Sequence, residues 1–268
     1  MDAEGITKLY AGMKLTEEEG EAITIQGSVK EDGMKKFLIC LVGKLLTAKL
    51  PNRDAFRSLI ARIWRTAHPV EVENVRNNIF AFYFHNLIDR KRVLIGGQWN
   101  FDNTLLVLEA PNGYGDFAEM EFRWSEFWIQ VHNVPLICMT KVVGLLIGEK
   151  IRGVKDIDAG ASGDCFGKFL RVRVVVDTTG PLKRAVRITI EGMEEAKTLL
   201  LKYERLPEYC FHCGLLGHAY KECPKDNEVA NSISNREFNF ESWMRASSPI
   251  KTRPGGPKNN QPGVSSSD

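Results

Sequence analysis

Three cysteines and one histidine fall within fourteen residues of this chain, in the pattern Cys-x2-Cys-x4-His-x4-Cys formed by Cys210, Cys213, His218 and Cys223. Thiolate and imidazole groups are the ligands that a tetrahedral zinc ion prefers, and four protein ligands leave no position open for a substrate or an activated water. The spacing therefore predicts one structural zinc ion. Its binding must fold this segment, because so few residues cannot form an adequate core of their own.

Two glycines accompany the predicted ligands. Gly214 follows the second cysteine and Gly217 precedes His218, at the points where the chain must turn tightly around the metal. Glycine adopts positive φ angles at little cost, so both positions support the prediction. His212 lies between the first two cysteines, and the spacing assigns it to a solvent-facing loop and not to the ligand set.

These residues resemble the zinc knuckle of retroviral and retrotransposon nucleocapsid proteins. The resemblance implies that Phe211 and Tyr220 form a platform on which an unpaired base stacks, an interaction that tolerates many nucleotide sequences. The alternative is that both rings only pack the small core around zinc. Lys221 is the basic residue of the knuckle that we expect at the nucleic acid, whereas Leu215 stands where viral knuckles often carry lysine. Most phosphate contacts must then come from elsewhere in the chain.

The composition is that of a folded protein in a reducing compartment. Of the 268 residues, 43% are hydrophobic, and the cysteines outside the knuckle, Cys40, Cys138 and Cys165, are too isolated for a disulfide framework. No apolar run approaches the length of a membrane helix, and the acidic amino terminus lacks an apolar signal segment. We therefore expect a soluble nuclear or cytoplasmic protein without a membrane partner.

The net charge is +2, but basic and acidic residues are concentrated in different segments of the chain. Residues 34–100 carry twelve basic and four acidic residues, and the segments on both sides are acidic. Such an asymmetry is typical of a surface that faces a polyanion, although solvated helix faces can also be basic.

The order of predicted elements divides the chain into five parts. Residues 1–33 form an acidic arm, and residues 34–110 show a βαββαβ order with strands at 37–42, 70–75, 79–84 and 105–108 and helices beginning at Asn52 and Asn86. This is the order of a ferredoxin-like domain in an α+β protein. Residues 111–206 form a second, mostly antiparallel α+β region. Residues 207–224 form the zinc knuckle, and the tail at 225–268, rich in Ser, Asn, Pro and Gly, is predicted to be disordered.

Aromatic residues of the first domain are predicted to lie in its core. Phe80, Phe82 and Phe84 fall on one face of one strand, and Leu41 stands where an RNA-recognition motif has an aromatic residue. Basic residues on the helices are therefore at least as good candidates for phosphate contact as the sheet. These are Arg53, Arg57, Arg62, Arg65, Arg90, Lys91 and Arg92.

The second region contributes a predicted arginine surface. Strands at 169–177 and 185–191 alternate as an antiparallel hairpin whose polar face carries Arg171, Arg173 and Arg187. This face holds phosphates or is simply solvated. The segment 199–207 reads as a third strand or a short helix, and His132, in a strand at 127–134, is assigned a structural role.

Two motifs extend the resemblance beyond the knuckle. A Gly-Gly-x-Trp pattern at residues 96–99 and a Tyr-Glu-Arg-Leu-Pro-x-x-Cys pattern at residues 203–210 are similar to a plant-specific family, in which a domain of unknown function precedes a zinc knuckle. Such regions look like the nucleic-acid-binding first product of LINE-type retrotransposons and their domesticated relatives. Three aromatic residues of the tail are expected either to pack locally or to form a binding motif for a partner. They are Phe238, Phe240 and Trp243.

The sequence thus favours a binding protein over an enzyme. It contains no phosphate loop, nucleophile elbow or paired carboxylates at a strand end, and the predicted zinc site is saturated. We predict zinc-dependent binding of single-stranded nucleic acid, RNA more than DNA. The alternative is a protein-interaction module whose knuckle is purely structural, with a homo-oligomer or another protein as partner.

Overall fold

Two β-sheets that are almost entirely antiparallel form the framework of the protein, which confirms the predicted α+β class. A computed structural model describes residues 12–14, 16–17, 19–20, 22–117, 120–225 and 239–247. The helices are α1 Ser28–Leu38, α2 Arg53–Trp64, α3 Leu87–Gly96 and α4 Lys141–Ile151. The strands are β1 Cys40–Leu45, β2 Glu71–Arg76, β3 Ile79–Tyr83, β4 Trp99–Phe101, β5 Thr104–Glu109, β6 Trp124–His132, β7 Val154–Ile157, β8 Leu170–Asp177, β9 Ala185–Ile188, β10 Lys197–Glu204 and β11 Arg245–Ala246.

The first sheet has the strand order β2-β3-β1-β5-β4, and every neighbouring pair is antiparallel. Strand β4 was not predicted; it pairs with β5 through a tight turn in which Asp102 and Asn103 have positive φ angles. The strand predicted at 37–42 was placed too early, since Phe37 and Leu38 end α1. A short apolar run does not distinguish the last turn of a helix from a strand. The ferredoxin-like assignment stays a prediction.

The helices of the first region begin where side chains can cap them. The Asn52 side chain accepts hydrogen bonds from two amide groups at the start of α2, and the Asn86 side chain accepts one from Asp89 at the start of α3. Helix α2 then buries Phe56, Ile60 and Trp64, which lie four residues apart on one face. These three side chains cover one face of the first sheet.

The core role predicted for the phenylalanines is confirmed. Phe80, Phe82 and Phe84 are at most 2% exposed, and the ring of Trp64 lies 4.9 Å from Phe82 and 5.7 Å from Phe84 between centroids. This face of the sheet therefore offers no stacking surface to a nucleic acid. The opposite face, with Val42 among its residues, joins the core of the second sheet.

The second sheet has the order β11-β10-β6-β8-β7, with β9 paired to β10. The predicted hairpin of β8 and β9 is therefore wrong: β8 pairs with β6 and β7, and β9 pairs with β10. Alternation of apolar residues specifies which face of a strand is buried, but it does not specify the neighbouring strand. Of the two alternatives for the segment 199–207, the structure shows a strand, since β10 covers its first part. No helix in the described part of the chain is long and apolar enough to span a bilayer.

Candidate metal centre and its surroundings

The four predicted ligands converge. One ligand atom from each of Cys210, Cys213, His218 and Cys223 lies within 4.8 Å of every other, and the Cys213 Sγ atom is 3.4 Å from the His218 Nε2 atom. Three sulfurs and one imidazole nitrogen at this spacing fit one tetrahedral zinc ion. His212 is not part of the cluster, as predicted. The arrangement is that of a structural site, because all four positions are filled by protein.

Backbone hydrogen bonds shape the loop around the cluster. The Cys210 amide donates to the Leu215 carbonyl over 2.9 Å, the Gly214 amide donates to the Cys210 carbonyl over 2.9 Å, and the Cys213 amide points at the Cys210 sulfur over 3.5 Å. Gly214 and Gly217 have φ angles of 73° and 94°, which confirms the role predicted for both glycines. These hydrogen bonds hold the loop closed, so that the cysteine and histidine side chains converge on one point.

Burial disfavours the thiolate form of one ligand, Cys210. It raises the pKa of the Cys210 thiol to about 12, although amide groups of Cys213 and His212 act in the opposite direction. Without a metal this thiol keeps its proton at neutral pH. Zinc binding must release that proton, so zinc affinity falls as the pH is lowered.

The knuckle lies directly against the first sheet. A Cβ atom at Gly217 would come within 2.5 Å of the carbonyl oxygen of Leu46, the residue after β1. The Glu208 amide donates to the Asn103 carbonyl in the β4–β5 turn over 2.8 Å, and Lys49 forms an ion pair of 2.7 Å with Glu222. The metal loop is therefore fixed to the body at several points.

The Gly-Gly-x-Trp pattern forms the joint between the first sheet and the chain leading to the knuckle. The Trp99 indole lies over Gly97, where a Cβ atom would meet the ring at 2.4 Å, and its Nε1 atom donates to the Val93 carbonyl of α3 over 2.9 Å. The Gln98 side chain then donates to the Arg205 carbonyl over 2.7 Å. The motif thus has a structural role that sequence reasoning did not assign.

Part of the tail also belongs to the site, so the prediction of disorder is wrong for residues 239–247. The Phe240 ring lies on the Gly214 backbone, and its amide donates to the Phe211 carbonyl over 3.1 Å. The Tyr209 hydroxyl donates to the Glu241 carbonyl. Strand β11 runs parallel to β10 at the edge of the second sheet. The prediction of disorder rests on the composition of the whole tail. It does not identify this short aromatic segment, whose composition differs from that of the rest of the tail.

The predicted base-stacking residues differ in accessibility. Phe211 is partly buried and meets Tyr209 edge-on, with 5.2 Å between ring centroids. Tyr220 is 37% exposed, and the Lys221 ammonium group lies 6.0 Å from the centre of its ring. Tyr220 is therefore the member of the predicted platform that faces solvent, and the predicted contact residue Lys221 is exposed beside it.

The predicted arginine surface is largely engaged within the protein. Arg171 forms two hydrogen bonds of 2.8 and 2.9 Å with the Glu204 carboxylate, and its guanidinium group stacks on Trp128. Arg173 binds the Glu126 carboxylate at 3.0 Å and the carbonyl groups of residues 95 and 97. Both arginines thus have partners within the protein, and their phosphate contact stays a prediction. Arg187 is exposed on β9.

Sequence reasoning missed a basic residue beside the knuckle. The Leu182 amide donates to the Gly214 carbonyl over 3.0 Å, which brings the segment before β9 against the metal loop. Arg184 follows, is exposed, and places its guanidinium group 5.3 Å from the centre of the Phe240 ring. The adjacent basic pair at 183–184, three residues before Arg187, was the available signal.

Comparisons with known proteins agree with this arrangement. Residues 33–110 match the family described as Domain of unknown function (DUF4283), and residues 176–225 match the family described as Zinc knuckle. The chain is also similar to the uncharacterized protein At4g02000 of Arabidopsis thaliana, with 27% identity over 125 residues. That alignment covers 45% of this chain and 40% of the relative. The protein therefore contains a DUF4283 domain followed by a CCHC zinc knuckle that binds one structural zinc ion.

Proposed function

We propose that this protein binds single-stranded nucleic acid, RNA more than DNA, through its zinc knuckle, and that it is not an enzyme. The observation that carries the proposal is the Cys3His cluster, closed by two positive-φ glycines and held against a rigid α+β body. Zinc knuckles commonly bind nucleic acids, and a saturated metal site leaves no position for an activated water. The body fixes the orientation of the knuckle, so that the protein presents one defined binding face.

In this proposal the bound strand crosses the exposed side of the knuckle. Tyr220 stacks on a base, Lys221 contacts a phosphate, and Arg184 and Arg187 extend the basic surface beyond the metal loop. Stacking is worth about 1–3 kcal/mol per base and tolerates sequence variation. Phe211 supports the platform from its partly buried position.

The motif resemblance supports an origin in LINE-type retrotransposons, and the Arabidopsis relative supports a plant source. We propose that the protein acts in the nucleus or the cytoplasm, as the nucleic-acid-binding product of such an element or as a domesticated descendant.

The test is salt-titrated binding of the zinc-loaded protein to a fluorescent single-stranded RNA. Tyr220→Ala should cost about 1–3 kcal/mol of binding free energy, while Tyr114→Ala, which removes an exposed tyrosine elsewhere, should not change the affinity. Lys221→Ala should lower the slope of log affinity against log salt by about one, and Lys168→Ala should leave it unchanged. Equal affinities for the wild type, Tyr220→Ala and the zinc-free protein would refute the proposal.

One observation favours a second candidate, a protein-interaction module with a purely structural knuckle. Phe211 packs against Tyr209 and Phe240 lies on Gly214, so two aromatic groups of the site serve internal packing. In that case the protein would show no salt-dependent RNA binding, while zinc removal would still loosen residues 207–224.

A further inference from the structure

An apolar surface covers the outer side of α4 and the short turn before it. Six large apolar side chains there are between 42% and 79% exposed. We call this surface the α4 patch; it consists of Leu136, Ile137, Val142, Leu145, Leu146 and Phe166.

Backbone hydrogen bonds make the patch continuous. The Lys141 amide at the start of α4 donates to the Gly163 carbonyl over 2.9 Å, and the Cys165 amide donates to the Met139 carbonyl over 2.9 Å. Phe166 is therefore held beside the turn that carries Leu136 and Ile137. Side chains of this size and exposure present several hundred Å² of apolar surface, approaching the roughly 800 Å² that each partner contributes to a stable interface.

The helix cannot bury these side chains by turning. Its inner face packs tightly on the second sheet, and a Cβ atom at Gly148 would come within 2.3 Å of the Val154 side chain. Ile147 and Ile151 are buried on the same side. The apolar residues of the outer face therefore need a cover from outside the helix.

The charged residues on the exposed face of α4 indicate which partner buries these apolar side chains. Lys141 is the first residue of α4 and Glu149 lies in its last turn, so both charges oppose the dipole of their own helix. Neither side chain forms an ion pair within the described residues. Lys141, Leu145 and Glu149 lie four residues apart along one ridge of the helix. Lys150, also exposed, lies about 100° around the helix from Glu149, at the edge of the face.

We infer that the α4 patch is a two-fold symmetric contact between two copies of this chain, with the α4 helices antiparallel and crossing at Leu145. In that arrangement Lys141 of one copy lies beside Glu149 of the other, twice. Each Lys141 then lies near the C-terminal end of the partner helix, and each Glu149 lies near the N-terminal end of the partner helix. Both contacts are favourable, and a single copy provides neither. The apolar side chains meet each other around the axis.

The test uses the full-length, zinc-loaded chain, treated with nuclease so that nucleic acid cannot link two copies. Sedimentation equilibrium should show a dimer at micromolar concentration. Leu146→Glu should raise the dimer dissociation constant at least tenfold, because it places a charge in the apolar contact. Ile88→Glu on α3, where the isoleucine is 79% exposed, is the matched control and should leave the dimer unchanged.

A charge exchange tests the antiparallel register. Lys141→Glu and Glu149→Lys should each weaken the dimer several-fold, since each places like charges side by side, and the double variant should restore wild-type association. Circular dichroism and zinc content verify that every variant is folded. A chain that stays monomeric up to about 100 µM would overturn the inference. A dimer whose dissociation constant is unchanged by Leu146→Glu would also overturn it. So would a double variant in which the losses of dimer affinity of the two single variants add.

Discussion

The aromatic core of the first sheet and the zinc knuckle that lies against it are stable for different reasons. Trp64 and Phe82 are fully buried among other rings, so burial of apolar surface holds this region together. The knuckle consists of short loops around four ligands, and its closure depends on the metal. We therefore expect the body to fold without zinc and the loop to require it.

Backbone groups make much of the contact between the two regions, beside the ion pair of Lys49 and Glu222. Gly217 touches the Leu46 carbonyl, and Glu208 donates to the Asn103 carbonyl. A side chain can be replaced without moving the backbone, but a shift of the metal loop breaks these contacts directly. Loss of zinc should therefore change the structure at the end of β1 and at the β4–β5 turn, but not in the aromatic core.

Removing one metal ligand should produce the largest difference between the regions. Cys223→Ser should abolish zinc binding, whose apparent free energy in small zinc peptides is about 10–16 kcal/mol, and should unfold residues 207–224. Two-dimensional amide NMR spectra should show the signals of the knuckle collapsing while those of β1 and β3 persist. Cys138→Ser, outside the ligand set, is the control. Collapse of the whole spectrum would show that the body also depends on zinc.

Truncating the aromatic core should have the converse effect. Phe82→Ala should cost about 3–5 kcal/mol of unfolding free energy, because it leaves a cavity among Phe56 and Trp64. Urea denaturation measures this loss, and the zinc content of the folded fraction should remain at one per chain. Ile88→Ala, on the exposed side of α3, should change the stability little. A reduced zinc affinity in Phe82→Ala would contradict the separation of the two regions.

A buried ion pair in the second sheet should make the stability of the body dependent on pH. Burial alone raises the pKa of Glu204, but hydrogen bonds from Arg171 and Gln130 outweigh it, so the pKa lies below its ordinary value of 4.5. The carboxylate therefore contributes stability above pH 4.5, and this contribution is lost as the pH falls through the folded-state pKa. Glu204→Gln should cost about 1.5–3 kcal/mol at pH 7.

The corresponding measurement is urea denaturation of the wild type and Glu204→Gln between pH 7 and pH 3. Part of the acid-induced loss of stability should disappear in the variant. An unchanged pH dependence would show that other carboxylates, such as Asp177, whose pKa is lowered by its hydrogen bonds with Arg123, account for the acid sensitivity.

The smallest expected effect tests the joint itself. Gly217→Ala places a side chain at a φ angle of 94° and against the Leu46 carbonyl, at a cost of about 1–3 kcal/mol from backbone strain alone. Competition with a chelator should show weaker zinc binding. Gly153→Ala is the matched control, because no heavy atom lies within 4 Å of its added Cβ. Equal zinc affinity for both variants would mean that the knuckle does not depend on its contact with the first sheet.

The sequence allowed the metal site to be predicted almost completely. The four ligands lie within fourteen residues, and the two glycines mark the tight turns between them. The spacing alone therefore specifies how the ligands converge. The helix starts at Asn52 and Asn86 were predicted for the same reason, since the signals that start a helix lie in neighbouring residues.

Predictions that depended on distant pairing were less successful. The alternation in β8 and β9 identified their buried faces, but the partners of both strands come from elsewhere in the chain. The phosphate contact predicted for Arg171 stays a prediction, but its ion pair with Glu204 on β10 was not foreseen, because no local pattern connects the two residues. The order found at residues 239–247 likewise depends on contacts with the knuckle that composition does not report.

X-ray absorption at the zinc edge of the purified, folded protein, combined with elemental analysis, tests the central claim most directly. We predict one zinc ion per chain with three sulfur ligands at about 2.3 Å and one nitrogen ligand at about 2.0 Å. Absence of stoichiometric zinc, or a coordination shell dominated by oxygen, would contradict the assignment of Cys210, Cys213, His218 and Cys223 as the ligands that close the knuckle.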